Sequence, residues 1–178
     1  YAYNNVGRIY RYNLLTDQFE LYLDLAEHIY MGLVLHYLFI DSQEQLWIGL
    51  NSGLYCCLLG ETPQLIDSDC HVTYITELPQ SMAIGTTCDL RIYSKDRNLL
   101  QKLCPDTYVQ SLLPLPNKEI LLIGTFNCGV KSISLSSWQE QPVKNGSLPH
   151  TPIRSMIEMT PSTVLLGFDG DGVYTYNL

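Results

Sequence analysis

The stretch LHYLFIDSQEQLWIGLNSGLYCCL, residues 35–58, holds one complete module of a repeat and decides the fold. It reads as three strands: an apolar run over 35–40, a second over 46–48 and a third over 54–58. A polar break at 41–45 suits a hairpin, and Asn51, Ser52 and Gly53 form a tight turn in which glycine takes a positive φ at no steric cost. Gly49 falls inside the second strand, where a missing side chain signals the close approach of another backbone.

The module recurs. LWIGLNSGLYCC (46–57) aligns with MAIGTTCDLRIY (82–93), LLIGTFNCGVKSI (121–133) and VLLGFDGDGVYTY (164–176), which puts Gly49, Gly85, Gly124 and Gly167 in register. Their spacings of 36, 39 and 43 residues are too short for separate domains and suit a four-stranded antiparallel sheet with short loops. Each copy is preceded by an apolar segment ending in a polar or proline turn: LHYLFIDSQEQ, VTYITELPQS, VQSLLPLPNKE and IRSMIEMTPST. A fourth strand is expected at 63–66, 98–103 and near 138–143. Such a sheet cannot bury both faces alone, so neighbours must stack. The expected fold is all-β, built of β-propeller blades, with a β-solenoid as the competitor.

The ends follow from the same alignment. Residues 7–12 match a third strand and 18–23 a fourth, giving a partial blade over 1–24. Blades are expected over about 33–66, 71–103 and 108–144, and a partial blade over 152–178. Two strands, three sets of four and then three make 17, so the chain reads as an arc of about four to five blades from a larger ring rather than a closed ring of four.

Composition narrows the function classes. A hydrophobic fraction of 46% with 16% charged residues excludes a disordered chain, and 13 tyrosines suit strands. A net charge of −8 with no basic run argues against nucleic acid, whose phosphates demand clustered lysine and arginine. The longest apolar run, 31–40, is interrupted by His36 and is far shorter than the roughly 20 residues of a membrane span, so no membrane contact is expected. The opening YAYNNVGR has no signal-peptide pattern.

No catalytic group, metal or cofactor is expected. Cys56, Cys57, Cys70, Cys88, Cys104 and Cys128 show no ligand spacing and read as free, partly buried thiols. Asp169, Gly170, Asp171 and Gly172 place two carboxylates in a glycine-rich segment, but a turn accounts for Asp-Gly twice over, and a calcium loop needs a longer ligand set. His36, on an apolar strand, reads as a core or edge residue; His28, His71 and His150 fall in connections between blades. Asn145, Gly146 and Ser147 match a glycosylation sequon.

Propellers bind ligands where side chains from several blades converge. The expected binding residues are Asn51, Asp89, Phe126, Asn127, Asp169 and Asp171 from loops joining second to third strands, and Tyr30, Asp69 and His71 from connections between blades. Tyr30, Phe126 and Phe168 offer aromatic faces, and Asn and Asp accept hydroxyl hydrogen bonds; turns favour Asn, Asp and Gly for backbone reasons as well. Trp47 is expected to pack between blades.

The residues Phe39, Ile40 and Asp41, then Leu46, Trp47, Ile48 and Gly49, then Gly53, Leu54 and Tyr55, together resemble the propeller repeat in the sensor regions of hybrid two-component regulators from gut bacteria. The 82–93 and 164–176 copies lack the tryptophan, and the 121–133 copy has one extra residue in its turn. The resemblance implies a periplasmic sensor, commonly of glycan fragments, that regulates carbohydrate use. In that family the propeller is followed by a small immunoglobulin-like domain, a membrane helix and a histidine kinase, usually as a homodimer. The implied partners are an oligosaccharide or other small ligand and the rest of the parent chain. A propeller-fold lyase or hydrolase and a protein-interaction scaffold are the alternatives.

Overall fold

A computed structural model describes residues 1–4, 7–25, 34–144, 146 and 148–178. Tyr30 and His28, and the sequon at Asn145 and Ser147, lie outside the described residues. The chain forms two compact units, Tyr1–Val72 and Thr73–Leu178.

In the first unit, β1 (Ala2–Tyr3), β2 (Arg8–Asn13) and β3 (Gln18–Asp24) make one sheet. A four-stranded sheet follows, of β4 (Leu35–Ile40), β5 (Gln45–Leu50), β6 (Gly53–Leu58) and β7 (Gln64–Asp67). The second unit, whose boundary falls at the first residue of β8, holds β8 (Val72–Glu77), β9 (Ser81–Thr86), β10 (Leu90–Ser94) and β11 (Leu99–Leu103). Next come β12 (Val109–Leu115), β13 (Ile120–Thr125), β14 (Val130–Ser134) and β15 (Glu140–Gln141), then β16 (Ile153–Thr160), β17 (Thr163–Phe168) and β18 (Gly172–Asn177). In every sheet, neighbours in sequence are neighbours in space, the meander of a propeller blade.

The N-terminal count differs from expectation. Ala2 and Tyr3 pair with Tyr10 and Ile9, so the first sheet has three described strands rather than two. Two residues are too short to show an alternation, which is why this strand is silent in the sequence.

The second strand of each four-stranded sheet is the most buried. Every residue of QLWIGL in β5 and SMAIGT in β9 is buried, as are five of six in β13, because each lies inside its sheet and is covered on both faces. Alternation then splits the strand between two cores. Leu121 and Ile123 of β13 pack with Ala83, Leu90 and Ile92 of the preceding sheet; Leu122 packs with Ile153, Val164 and Leu166 of the following one. In the first unit, Ile9 and Leu25 meet Leu35, Leu46, Ile48 and Leu50.

Trp47, on the opposite face of β5 from Leu46 and Ile48, is fully buried. Its Nε1–H donates to Oδ2 of buried Asp41 at 2.8 Å, while Oδ1 of Asp41 accepts the backbone N–H groups of Gln43 and Gln45, both at 2.9 Å. The aspartate turn and the tryptophan six residues later are thus one device: a buried carboxylate that closes the β4–β5 hairpin and anchors the indole.

The aligned glycines mark close approach, of side chains rather than backbone at the two positions between sheets. A Cβ on Gly85 would lie 2.5 Å from Cγ1 of Val109 in β12. One on Gly124 would lie 2.3 Å from Oγ of Ser111 and 2.8 Å from Cγ2 of Ile153 in β16.

Beside these glycines, the pairing of first and second strands slips by one residue at the same place in three sheets. The slips lie between Leu35 and Tyr37, Val109 and Ser111, and Ile153 and Ser155. The extra residue in each β-bulge is polar: His36, Gln110 and Arg154. A bulge re-aims its side chain out of the in–out alternation.

Candidate functional site

In the second unit, the end where β13 meets β14 and β17 meets β18 collects polar and aromatic side chains from four short segments. Arg154, on the β16 bulge, donates from Nη2 and Nε to Oδ2 of Asp169 at 2.6 and 3.1 Å, and from Nη1 to Oε1 of Gln110 at 2.8 Å. Bulge residues of adjacent sheets are thereby joined through one guanidinium. Arg154 and Asp169 are both about half exposed, so the pair adds little to stability and remains accessible. Asp171 accepts the Thr151 hydroxyl at 2.6 Å. Phe126 is stacked on Tyr108, with ring centroids 5.0 Å apart and planes 14° from parallel, and its backbone N–H donates to the Tyr108 carbonyl at 2.9 Å. Asn127 is exposed beside it and accepts from the Cys128 thiol at 3.2 Å. Phe126, Asn127, Asp169 and Asp171 therefore lie at one end of two adjacent sheets.

Asp89 belongs to the equivalent turn of the β8–β11 sheet but faces inward. Its carboxylate accepts from Thr86 Oγ1 at 2.6 Å and from Arg91 Nε at 3.0 Å, and Arg91 is buried, so the group closes the β9–β10 turn. Phe168 offers no free face; it is buried in the core with Leu166 and Val164. Asp169 and Asp171 turn to different partners, and Gly170 and Gly172 have φ of +86° and +85°, as a turn requires.

The corresponding end of the first unit carries Asn51, Asp69 and His71. Asn51 is committed to the chain: its side-chain oxygen accepts from Val34 N at 3.0 Å and its backbone N–H donates to the Val34 carbonyl at 3.1 Å. Asp69 is exposed on the connector between β7 and β8. His71 meets His36, with Nε2 atoms 3.1 Å apart. Partial desolvation, and then the His71 ring, push the His36 pKa below the ordinary histidine value, although its side chain keeps a solvent-facing edge. His36 is thus a bulge residue directed to the loop end, not a core histidine. Among the described residues no three His, Cys, Asp or Glu side chains gather in a cation-binding group.

Gln110, Arg154 and Thr151 were not expected, and the first two had a signal. LHY, VQS and IRS occupy equivalent positions at the start of three apolar segments, each with one polar residue between an apolar residue and the strand proper. At the other end of the second unit's sheets, a groove of about 590 Å³ is lined by Leu78, Pro79, Leu100, Pro116, Leu135 and Trp138.

No family model matches the chain, and no curated protein sequence matches it. Solved structures do. The extracellular domain of a one-component system from B. thetaiotaomicron superposes with a TM-score of 0.75 at 18% identity, covering 97% of this chain and 24% of that one. The extracellular domain of a hybrid two-component system from the same organism gives 0.72 at 20% identity, covering 97% and 26%. Sqt1 from Saccharomyces cerevisiae gives 0.76 at 16%, covering 98% and 53%. The chain therefore spans about a quarter of the bacterial domains' length and about half of the yeast protein's. At such identities the likeness establishes a shared fold, that of stacked four-stranded blades. Among the described residues no helix is long and apolar enough to cross a membrane.

Proposed function

We propose that the chain is a ligand-sensing propeller segment of the periplasmic region of a hybrid two-component signalling protein, and that it detects glycan fragments to regulate carbohydrate use. The segment catalyses no reaction; the output belongs to a histidine kinase elsewhere in the parent chain, which works as a homodimer. The observation that carries the reading is the accessible cluster of Arg154, Gln110 and Asp169 on the same end of the sheets as the Tyr108–Phe126 stack. A sugar presents hydroxyls around a ring with an apolar face. Guanidinium, amide and carboxylate groups match the hydroxyls bidentately, and an exposed aromatic matches the ring face. Phe126, Asn127, Asp169 and Asp171 are the proposed contacts in the second unit; in the first unit, taken by itself, Asp69 and His71 are the candidate contacts, while Asn51 is held by Val34 and shapes the loop. Asp89 and Tyr30 have no assigned contact. The fold shared with bacterial extracellular sensor domains supports the extracytoplasmic placement.

The test is calorimetric titration of the parent protein's complete extracellular region with a panel of oligosaccharides. One or more should bind, and Arg154→Ala or Phe126→Ala should weaken that binding by about tenfold or more, the effect of removing a buried charged or aromatic anchor. Binding unaffected by both substitutions would place the ligand elsewhere. Absence of binding across the panel, with a protein partner captured instead, would replace sensing by scaffolding.

A further inference from the structure

His36 and His71, both in the first unit, are separated by 35 positions in the chain, yet their Nε2 atoms are 3.1 Å apart. Each is held by its backbone. His36 is on the β4 bulge, and its carbonyl accepts the Tyr3 hydroxyl at 2.9 Å; His71 immediately precedes β8. The ring centroids are 4.7 Å apart and the planes inclined by 38°, so the rings meet at an angle rather than nose to nose. One cation with metal–nitrogen bonds of about 2.0–2.1 Å and ligand angles between square and tetrahedral needs its two nitrogens roughly 2.9–3.4 Å apart. The observed separation falls within that interval.

We propose that His36 and His71 form a two-imidazole site for one divalent transition cation of borderline softness, zinc or copper(II) in particular. Imidazole suits these ions, while calcium and magnesium require oxygen. Both rings bind through Nε2, so the ring that donates in the metal-free pair moves its proton to Nδ1, and no oxidant or reductant is needed. The solvent-facing edge of the pair leaves the remaining coordination positions to water, which makes the site one of micromolar rather than structural affinity. The acidic chain, with a net charge of −8, favours the approach of cations.

The experiment is titration of the chain with zinc sulfate at pH 7.5 by calorimetry, in a Cys88→Ser/Cys128→Ser background that removes the two exposed thiols. The expected result is one ion per chain with a micromolar dissociation constant, weakened by at least about tenfold in His36→Ala and in His71→Ala. A parallel measurement needs no histidine substitution: in the ¹⁵N imidazole spectrum, zinc should shift the Nε2 signals of His36 and His71 and leave His150 in place. No heat up to millimolar zinc, an affinity in both histidine variants unchanged from that of the parent background, or shifts confined to other residues would each overturn the proposal.

Discussion

Replacing Gly124 by alanine tests how the second unit's sheets are held together. The new Cβ would lie 2.3 Å from Ser111 Oγ and 2.8 Å from Ile153 Cγ2, both inside any real contact distance. Ser111 is buried, and its hydroxyl donates to the Ile153 carbonyl at 2.7 Å, tying β12 to the first strand of the next sheet. Rotating Ser111 away relieves the first clash but breaks that bond, and Ile153, fully buried, has little room to yield. Overpacking costs about 1–3 kcal/mol and a buried acceptor left short a further ~1–3 kcal/mol, so a loss of about 2–6 kcal/mol is expected. Urea unfolding followed by far-ultraviolet circular dichroism should show a lowered midpoint with an unchanged slope. The mechanism predicts coupling: in a Ser111→Ala background the first clash and the bond are already gone, so Gly124→Ala should cost clearly less there. A loss below about 0.5 kcal/mol in the single variant, or additive losses in the double variant, would refute the reasoning. Gly170→Ala is the contrast, since nothing lies within 4 Å of its Cβ and only its φ of +86° resists substitution; the left-handed penalty is about 1–2 kcal/mol.

Trp47→Phe keeps most of the buried bulk but removes the Nε1–H that Asp41 accepts, so thermal unfolding should report a loss of about 1–3 kcal/mol; an unchanged midpoint would mean the indole acts by packing alone. Burial, and then the hydrogen bond with Glu140, push the Cys104 thiol up to about 12, so at pH 8 it stays protonated and unreactive. Mass spectrometry after iodoacetamide treatment of the native chain should find Cys88 and Cys128 modified and Cys104 modified only in urea; labelling of all three at similar rates would contradict the buried placement.

Much of the blade pattern was legible because the interior strands β5, β9 and β13 are apolar on both faces, and β9 and β13 carry a glycine where the next sheet approaches. Gly85 and Gly124 could be aligned from sequence alone, and the reason for them is Val109 in one case and Ser111 with Ile153 in the other. Loop residues were legible as loops, but not in their direction: Asp89 and Asp169 lie in the equivalent turns of two sheets, yet one turns inward to a buried arginine and the other outward to an exposed one. What separates them is the arginine each one meets: Arg91, two residues on in β10, against Arg154, 15 residues back on β16, and turn chemistry alone does not contain that difference. For His36 a polar residue in an apolar run reads as either core or edge; the structure takes the edge alternative, on the outer strand β4, and only the slip in pairing beside it decides between the two.

That slip also separates two kinds of sequence change. Because positions 36, 110 and 154 stand outside the alternation that fills the cores, exchanging one polar residue there for another alters what the loop end offers to solvent while the residues packed behind it stay as they are. A chain built this way can diversify what it recognises one sheet at a time, by point substitution, without reopening the problem of how to fold.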